Sequence, residues 1–522
     1  MRNKLLIIGL ISTLVSQSCS AQLQFQKYFS DLTEYQALST SAFDNSYVIA
    51  ASTSSKEGLN FSAVKMNTHG EVIWHKTYTS PNDDYLTNMV ITPSGDILLA
   101  GYKLNSDGNF DFSLMKLNAS GNLKWYKTYG TANIDISVYM GITAVGDLFI
   151  VGNTETDTNK YISVLKVNKE GDIIWNKMYG SSFGLNTNIN ALAATVTKNG
   201  DIAVFGIDNY KSYLIRINTD GSINFTALHS DIISAFEGNS CIKQTNDEGF
   251  IFCGKVKDCS LDLCTYRFAL MKMDKNGNIS WSKSENQKYT GQGKNIFETA
   301  DGGFVSIGQL SDTNSSKLTV LKTDAKGLLL WTKTYGSVDS YGEYAGMDTT
   351  SNNGFIFLGF EDSKALFIKS NENGNSKCNE QLLNPTFVNA PIPKPISATF
   401  PELTVKNITT TIACTENELL VQNSFVCNDA LAIENHKDND KFFVYPNPFK
   451  ESTVIEISDL NLSTKNLRVN LYNAIGKKVM MQNILLNNNR IVIPRNGIPN
   501  GIYFYEIRNE NLILGHGKLI AE

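Results

Sequence analysis

The residues in this 522-residue chain whose types could do chemistry are few and scattered. Gly180 to Gly184 reads "GSSFG", the G-x-S-x-G string that presents a nucleophilic serine when it sits on a strand–turn–helix elbow. No helical pattern follows it, and sister segments read "YGTAN" and "YGSVDSYG" at the same place, so it is read as a connection. Histidine occurs at 69, 75, 229, 436 and 516, with no HExxH pair, which leaves neither an acid–base centre nor a zinc helix. Beyond the N-terminal segment the cysteines are 241, 253, 259, 264, 378, 414 and 427. None has the C-x-x-C spacing of a zinc site. Cys259 and Cys264 flank a short loop and could staple it, and Cys414 and Cys427 form a second candidate pair. The stretch "NSDGNFD", Asn105 to Asp111, gathers oxygen ligands, so calcium is the one cation considered, although the Gly and distal Glu of an EF-hand are missing. No catalytic, cofactor-binding or metal-ligating residue is assigned.

The elements that surround these residues are far more regular. "GNLKWYKTYG" at Gly121 to Gly130 returns as "GDIIWNKMYG" at Gly171 and "GLLLWTKTYG" at Gly327. The aromatic of each copy falls at Phe25, Trp74, Trp125, Trp175, Phe225, Trp281 and Trp331, with spacings of 49, 51, 50, 50, 56 and 50. A period near 50 residues containing four β-rich runs suits the four-stranded blade of a β-propeller. Leu86 to Tyr129 shows the unit: "LTNMVIT", a turn, "DILLAGY", a polar loop, "FSLMKLN", a turn, and "NLKWYKTY". Alternation puts Leu123, Trp125, Lys127 and Tyr129 on one face. The Trp should wedge against the next blade as a structural girdle, while the Lys stem packs and its amine reaches water.

The last unit ends at Asn371 without a Trp strand, and "LQFQKYF" (Leu23 to Phe29) is spare at the other end of the chain. A seven-bladed ring closed by that N-terminal strand is expected, with an eight-bladed ring as the alternative. The turn Asp274 to Trp281 is similar to the tryptophan-docking turn of quinoprotein-type propellers. It also lies where sialidase Asp-boxes lie, but its Gly-to-Trp spacing is one residue too long. The adjacent-Cys pair of quinone dehydrogenases is absent, so the resemblance implies a ring and no cofactor.

The first 21 residues, with Arg2, Lys4 and an apolar run from Leu5 to Val15, read as a secretory signal cut between Ala21 and Gln22. A lipoprotein anchored through Cys19 is the rival, but Ser16-Gln17-Ser18 fits a lipobox poorly. No transmembrane segment is expected. A net charge of −5 without basic runs argues against nucleic acid as a partner.

The propeller is expected over 22–378 and a Pro-rich linker with a small β element over 379–440. Residues 441–522 read as an antiparallel β-domain of period-two strands. Within them stand Tyr445-Pro446-Asn447-Pro448, "LYNAIGKKV" from Leu471 to Val479 with Gly476 at its centre, Gly501-Ile502-Tyr503, and Gly517-Lys518. These ordered motifs over about 80 residues resemble the type A C-terminal sorting domain of proteins exported by the type IX secretion system of Bacteroidota. The resemblance implies a small immunoglobulin-like sandwich that engages the type IX machinery and carries the protein across the outer membrane. Members usually lose it on release or on attachment to surface lipopolysaccharide.

The chain as a whole therefore reads as a secreted or cell-surface all-β protein. A binding or adhesion role towards polysaccharide or protein comes first. The alternatives are a glycan- or peptide-degrading enzyme using Asp83, Asp84 and Asp339, and a structural surface-layer component.

Overall fold

The computed structural model describes residues 24–522 apart from 57, 287, 352, 391, 393, 401 and the stretches 30–33, 42–43, 181–187, 209–210, 231–236, 259–263, 313–314, 337–345, 362–363, 377–379, 397–399, 405–407, 419–422, 429–441, 458–466, 474–476, 485–489 and 510–511. The chain divides into two units, Met1–Asp429 and Ala430–Glu522.

In the first unit the described residues form seven five-stranded antiparallel sheets. Six of them run in chain order from an inner to an outer strand. The second sheet is typical, with Asp84–Ile91, Ile97–Leu104, Phe110–Leu117 and Leu123–Gly130. Its second strand is buried along most of its length, because sheets stack on both of its faces. Inner strands of successive sheets lie side by side, and Gly346–Thr349 of the last lies beside Glu34–Ser41 of the first. The order therefore closes on itself, in the manner of propeller blades. The strand Phe25–Phe29, expected as the missing outer strand, pairs with Lys364–Ser370 of the last sheet in unbroken register.

The segment read as a linker behaves otherwise. Seven short strands follow one another: Glu380–Leu382, Phe387–Asn389, Lys394–Ile396, Glu402–Thr404, Ile408–Thr411, Thr415–Glu418 and Asn423–Asn428. Each adds a fifth strand to the outside of a different sheet, visiting the sixth, fifth, fourth, third, second and first sheets and then the seventh. They form a belt around the ring, wound against the chain's own order. Their starts are 6 to 8 residues apart. At about 3.3 Å per extended residue that spacing spans roughly 20–26 Å, enough to step from one outer strand to the next. The expected Cys414–Cys427 staple does not form, and Cys414 is a free thiol. The two positions belong to different sheets: Cys414 lies between strands on the second and first sheets, and Cys427 sits opposite Gln26 in the seventh. Cys264 is disulfide-bonded, and its expected partner Cys259 lies outside the described residues.

The second unit is a two-layer β-sandwich. Phe442–Tyr445, Ser452–Ile457 and Arg490–Pro494 make one layer; Lys478–Ile484, Leu467–Asn473, Gly501–Asn509 and Leu512–Ala521 make the other. Phe449, Ile455, Val469, Leu471, Ile493, Tyr505 and Leu519 are among the side chains buried between them. Among the described residues of the whole chain, no helix is long and apolar enough to cross a membrane.

Candidate functional site

Three places concentrate specific polar geometry: the turns where one sheet docks on the next, the opposite face of the sheets, and the clasp that closes the C-terminal sandwich.

The docking turns explain the repeat. In all but the Gly221 turn, an Asn or Asp three residues before the Gly caps the turn: Asn118 Oδ1 accepts the N–H groups of Ser120 and Asn122 at 2.9 Å, and Asp274 Oδ1 those of Asn276 and Asn278 at 2.9 Å, whereas at Gly221 the Ser222 N–H goes to Asp220 Oδ1 at 2.9 Å. The Gly then takes a left-handed conformation, with φ of 78° at Gly121. A Cβ there would come within 3.1 Å of the Trp74 ring of the preceding sheet, so the turn needs Gly for its backbone and for its contact. The Trp indole reaches the same turn from the preceding sheet, as Trp175 Nε1 donates to Thr219 O at 3.0 Å and Trp281 Nε1 to Ala325 O at 3.2 Å. Four residues after the Trp, a buried Tyr donates to the Gly carbonyl: Tyr78 to Gly121 at 2.6 Å, Tyr129 to Gly171 at 2.7 Å, Tyr179 to Gly221 at 2.7 Å and Tyr335 to Gly374 at 2.6 Å. His229 takes this part after Phe225 by bonding to Gly277. At the closing strand Phe25 lies against Gly70, and Lys27 Nζ donates to Gly70 O at 2.6 Å. Trp74, Trp125, Trp175, Phe225, Trp281 and Trp331 are half-buried, while Phe25 is fully buried.

The lysine amines do not all reach water as expected. Lys27, Lys76 and Lys333 are buried. Lys76 Nζ donates to Asn122 Oδ1 at 2.6 Å and pairs with Glu416 of the belt. Lys333 lies 3.7 Å from Glu380, also of the belt. Burial lowers the Lys27 pKa to about 8 despite the nearby Glu71 charge. The fifth strands cover what would otherwise have been the outer rim.

The opposite face carries the connections between sheets and those between second and third strands. Asp84 does not stand open on it. Its side chain is fully buried, 3.2 Å from Lys103 Nζ, with Ser80 Oγ donating at 2.5 Å and the Tyr126 hydroxyl also donating. Burial raises its pKa against the pull of Lys103. It is a structural carboxylate, which removes it from the expected enzyme set. Asp83 accepts from Leu59 N at 2.8 Å, and Asp339 and the string Ser181 to Gly184 lie outside the described residues. The Asn105–Asp111 loop turns on itself: Asn105 Oδ1 takes the N–H groups of Asp107 and Asn109 at 3.0 Å, and Asn105 Nδ2 donates to Asp111 Oδ2 at 3.3 Å.

Beside that loop stands a feature that periodicity did not single out. Tyr85 and Tyr102 stack with centroids 4.9 Å apart and an interplanar angle of 11°, and Phe110 meets both edge-on at 5.9 and 5.5 Å. All three are half-exposed. Tyr85 and Tyr102 are direct cross-strand partners, so the signal lay in the hairpin register rather than in the 50-residue period.

In the sandwich, the opening motif is stitched to the last strand. Asn447 Nδ2 donates to Lys518 O at 2.9 Å, and Asn447 Oδ1 accepts Ile520 N at 2.8 Å. Phe449 N donates to Ile520 O and Glu522 N to Phe449 O, each at 2.9 Å. Arg495 Nε donates to Ile498 O and Nη1 to Lys450 O, both at 3.1 Å, and Nη1 also bonds the Glu522 carbonyl. Tyr445 donates to Glu456, and Pro446 and Pro448 flank Asn447, each preceded by a cis peptide bond. Gly501 opens the penultimate strand, Tyr503 is buried and donates to Pro499 O at 2.8 Å, and Gly517 faces the Tyr505 ring, which a Cβ would approach to 2.7 Å. The motif residues Tyr445, Pro446, Asn447, Pro448, Gly501, Tyr503, Gly517 and Lys518 thus fall in one sandwich, in which Asn447 ties the opening motif to the last strand. Gly476 lies outside the described residues, as do Ala21 and Gln22.

A propeller-type set of sheets joined to a small sandwich with this clasp defines the class of protein. Residues 443–522 match the family described as the secretion system C-terminal sorting domain. The tail therefore implies export, to the cell surface or beyond it, and contact with the type IX secretion machinery. No curated protein matches the chain. Among solved structures it is similar to the NanB sialidase from Streptococcus pneumoniae at 11% identity, covering 66% of this chain and 69% of that one with a TM-score of 0.38. It is similar to the polysaccharide lyase Uly1 at 9% identity, with coverage of 65% and 90% and a TM-score of 0.43. The extracellular domain of a one-component system protein from B. thetaiotaomicron shares 11% identity, with coverage of 95% and 68% and a TM-score of 0.29. These are distant likenesses, and no activity passes from them to this chain.

Proposed function

We propose that the chain is a secreted or cell-surface binding protein of a Bacteroidota cell, in which a seven-bladed propeller is the cargo and residues 443–522 the address. The aromatic platform of Tyr85, Tyr102 and Phe110 carries this reading. Half-exposed rings at a sheet end, bordered by the polar groups of Asn105–Asp111, offer an apolar surface with hydrogen-bonding partners at its rim, the combination that holds a sugar ring. Polysaccharide is thus favoured over protein as the ligand. The test is a glycan-array screen with the purified exported protein, followed by titration of the strongest hit against Tyr85→Ser and Tyr102→Ser. We expect about tenfold weaker binding in each variant, equivalent to about 1.4 kcal/mol. Unchanged titrations would remove the platform as the site, and conversion of the bound glycan would move the reading to an enzyme.

A further inference from the structure

The inner strand of the fifth sheet, Glu237–Gln244, sets two thiols and an amine together. Cys241 is the direct antiparallel partner of Cys253 on Phe250–Asp258, and both are free thiols. Directly opposed residues of antiparallel strands have Cα atoms about 4.5–5.5 Å apart, inside the span that a disulfide bridges. The Cys241 thiol donates to Asn295 Oδ1 at 3.3 Å, on the inner strand of the next sheet. That strand approaches through Gly293, where a Cβ would come 3.1 Å from Cys253 Sγ, so no side chain at that position separates the pair from it. Cys253 is fully buried, whereas Cys241 is half-buried.

Charge favours the same asymmetry. The hydrogen bond from Cys253 and then the Lys243 amine hold the Cys241 thiol down at about 7, against burial. Burial pushes the Cys253 thiol up. Burial also works against the Lys243 charge, but Cys241, Tyr139 and Asp348 outweigh it. Tyr139 and Asp348 stand on the inner strands of the third and seventh sheets.

We propose that Cys241 and Cys253 form a redox-active pair that reacts with small-molecule disulfides, Cys241 as the attacking thiol and Cys253 as the resolving one. The Cys241 thiolate attacks one sulfur of R–S–S–R, forming Cys241–S–S–R and releasing RS⁻, which takes up a proton. Cys253 then gives up its proton and attacks Cys241 Sγ, expelling the second RS⁻. Two protein thiols are oxidised to one disulfide, and the small disulfide is reduced to two thiols. The nucleophile is assigned by thiolate character and access, which favour Cys241 on both counts.

The test uses the purified full chain, reduced, treated with oxidised glutathione, alkylated under denaturing conditions and mapped by peptide mass spectrometry. The expected product is a Cys241–Cys253 cross-linked peptide that dithiothreitol abolishes. Cys253→Ser should stop at a glutathione adduct on Cys241, and Cys241→Ser should leave Cys253 unmodified. Lys243→Gln, which keeps both thiols, should slow Cys241 alkylation at pH 6 about tenfold, as a thiol pKa higher by about one would. If the folded wild-type chain keeps both thiols alkylatable after oxidised glutathione, the proposal falls whatever the variants do. If Cys253 is modified equally fast without Cys241, or Lys243→Gln leaves the alkylation profile where it was, the assignment of roles falls.

Discussion

One face of the propeller sheets is uniform and the other is not. Every described connection from a third to a fourth strand within the first six sheets has five residues, and six of the seven from a first to a second strand do as well. On the other face the connections from one sheet to the next run from 3 residues, between Gly130 and Ile134, to 10, between Tyr335 and Gly346. The uniform face is held by Asx-capped turns, left-handed glycines and indole N–H groups aimed at backbone carbonyls, with ion pairs such as Lys272–Asp247 at 2.8 Å and Lys322–Asp301 at 2.9 Å beside its turns. The variable face carries the aromatic platform and the buried carboxylates Asp84 and Asp135. A structural turn must repeat its geometry to dock on each neighbour, while a connection that makes only local bonds, as Asp83 does with Leu59 N, is free to vary in length and chemistry. The aromatic platform of the proposed binding role belongs to the variable face.

The largest expected effect tests the closure that makes both faces possible. Deleting residues 22–30 removes the strand Phe25–Phe29, which pairs on one side with Lys364–Ser370 and on the other with Asn423–Asn428. Both partners would then present unpaired edges, and the chain should aggregate or melt far below the intact protein. An unchanged melting temperature, measured by differential scanning fluorimetry, would show that the belt alone closes the ring.

The next effect falls on the uniform face alone. Trp125→Ala should cost about 3 kcal/mol, the lower end of the range for a large core aromatic because this ring is half-exposed. Trp331→Ala should cost about the same, since Gly374 lies against it as Gly171 lies against Trp125. Urea titration measures both. Midpoints that do not move would mean that these rings serve a ligand, and the contrast between the faces would collapse.

What was legible in the sequence follows the same division. The docking turns were readable because each needs Gly, a large aromatic and a fixed spacing, and those needs recur seven times. The belt was not, because strands such as Phe387–Asn389 are too short to show alternation and bind largely through their backbones. Its trace was a recurrence near seven residues, together with Glu380 and Glu416, which meet Lys333 and Lys76. Burying those amines under the belt also reversed the expectation that they reach water. Cys241 and Cys253 lack zinc spacing, yet they are equidistant from the centre of the 245–249 turn and so face each other across a hairpin. The sorting tail was readable for a different reason: Asn447 bonds the last strand, Tyr503 bonds Pro499 O and Gly517 packs against the Tyr505 ring, each a specific requirement, so their order in the chain is itself a signature.

The smallest effect sets a buried carboxylate of the variable face against a docking-turn hydroxyl. Asp135 lies at the variable face, where the Thr131 amide N–H donates to it at 2.6 Å and the Thr131 and Thr154 hydroxyls also donate. Burial raises its pKa to about 6 despite those donors. The folded value stands above the unfolded one, near 3.9, so the stabilisation linked to this group is complete below about pH 4 and is lost as pH rises through 6. The gap between those two values corresponds to about 2–3 kcal/mol. Relative to Asp135→Asn, which does not titrate, the wild-type protein should therefore lose about that much stability between pH 4 and pH 7.5, as measured by urea titration at each pH. A docking-turn variant such as Tyr129→Phe should shift stability by the same amount at both pH values. Its hydroxyl donates to the Gly171 carbonyl and stays protonated throughout, since burial, then the nearby Asp172 charge, raises its pKa. If the wild-type and Asp135→Asn curves run parallel across this range, the carboxylate is not strained by its burial, and the variable face loses this contrast with the docking turns.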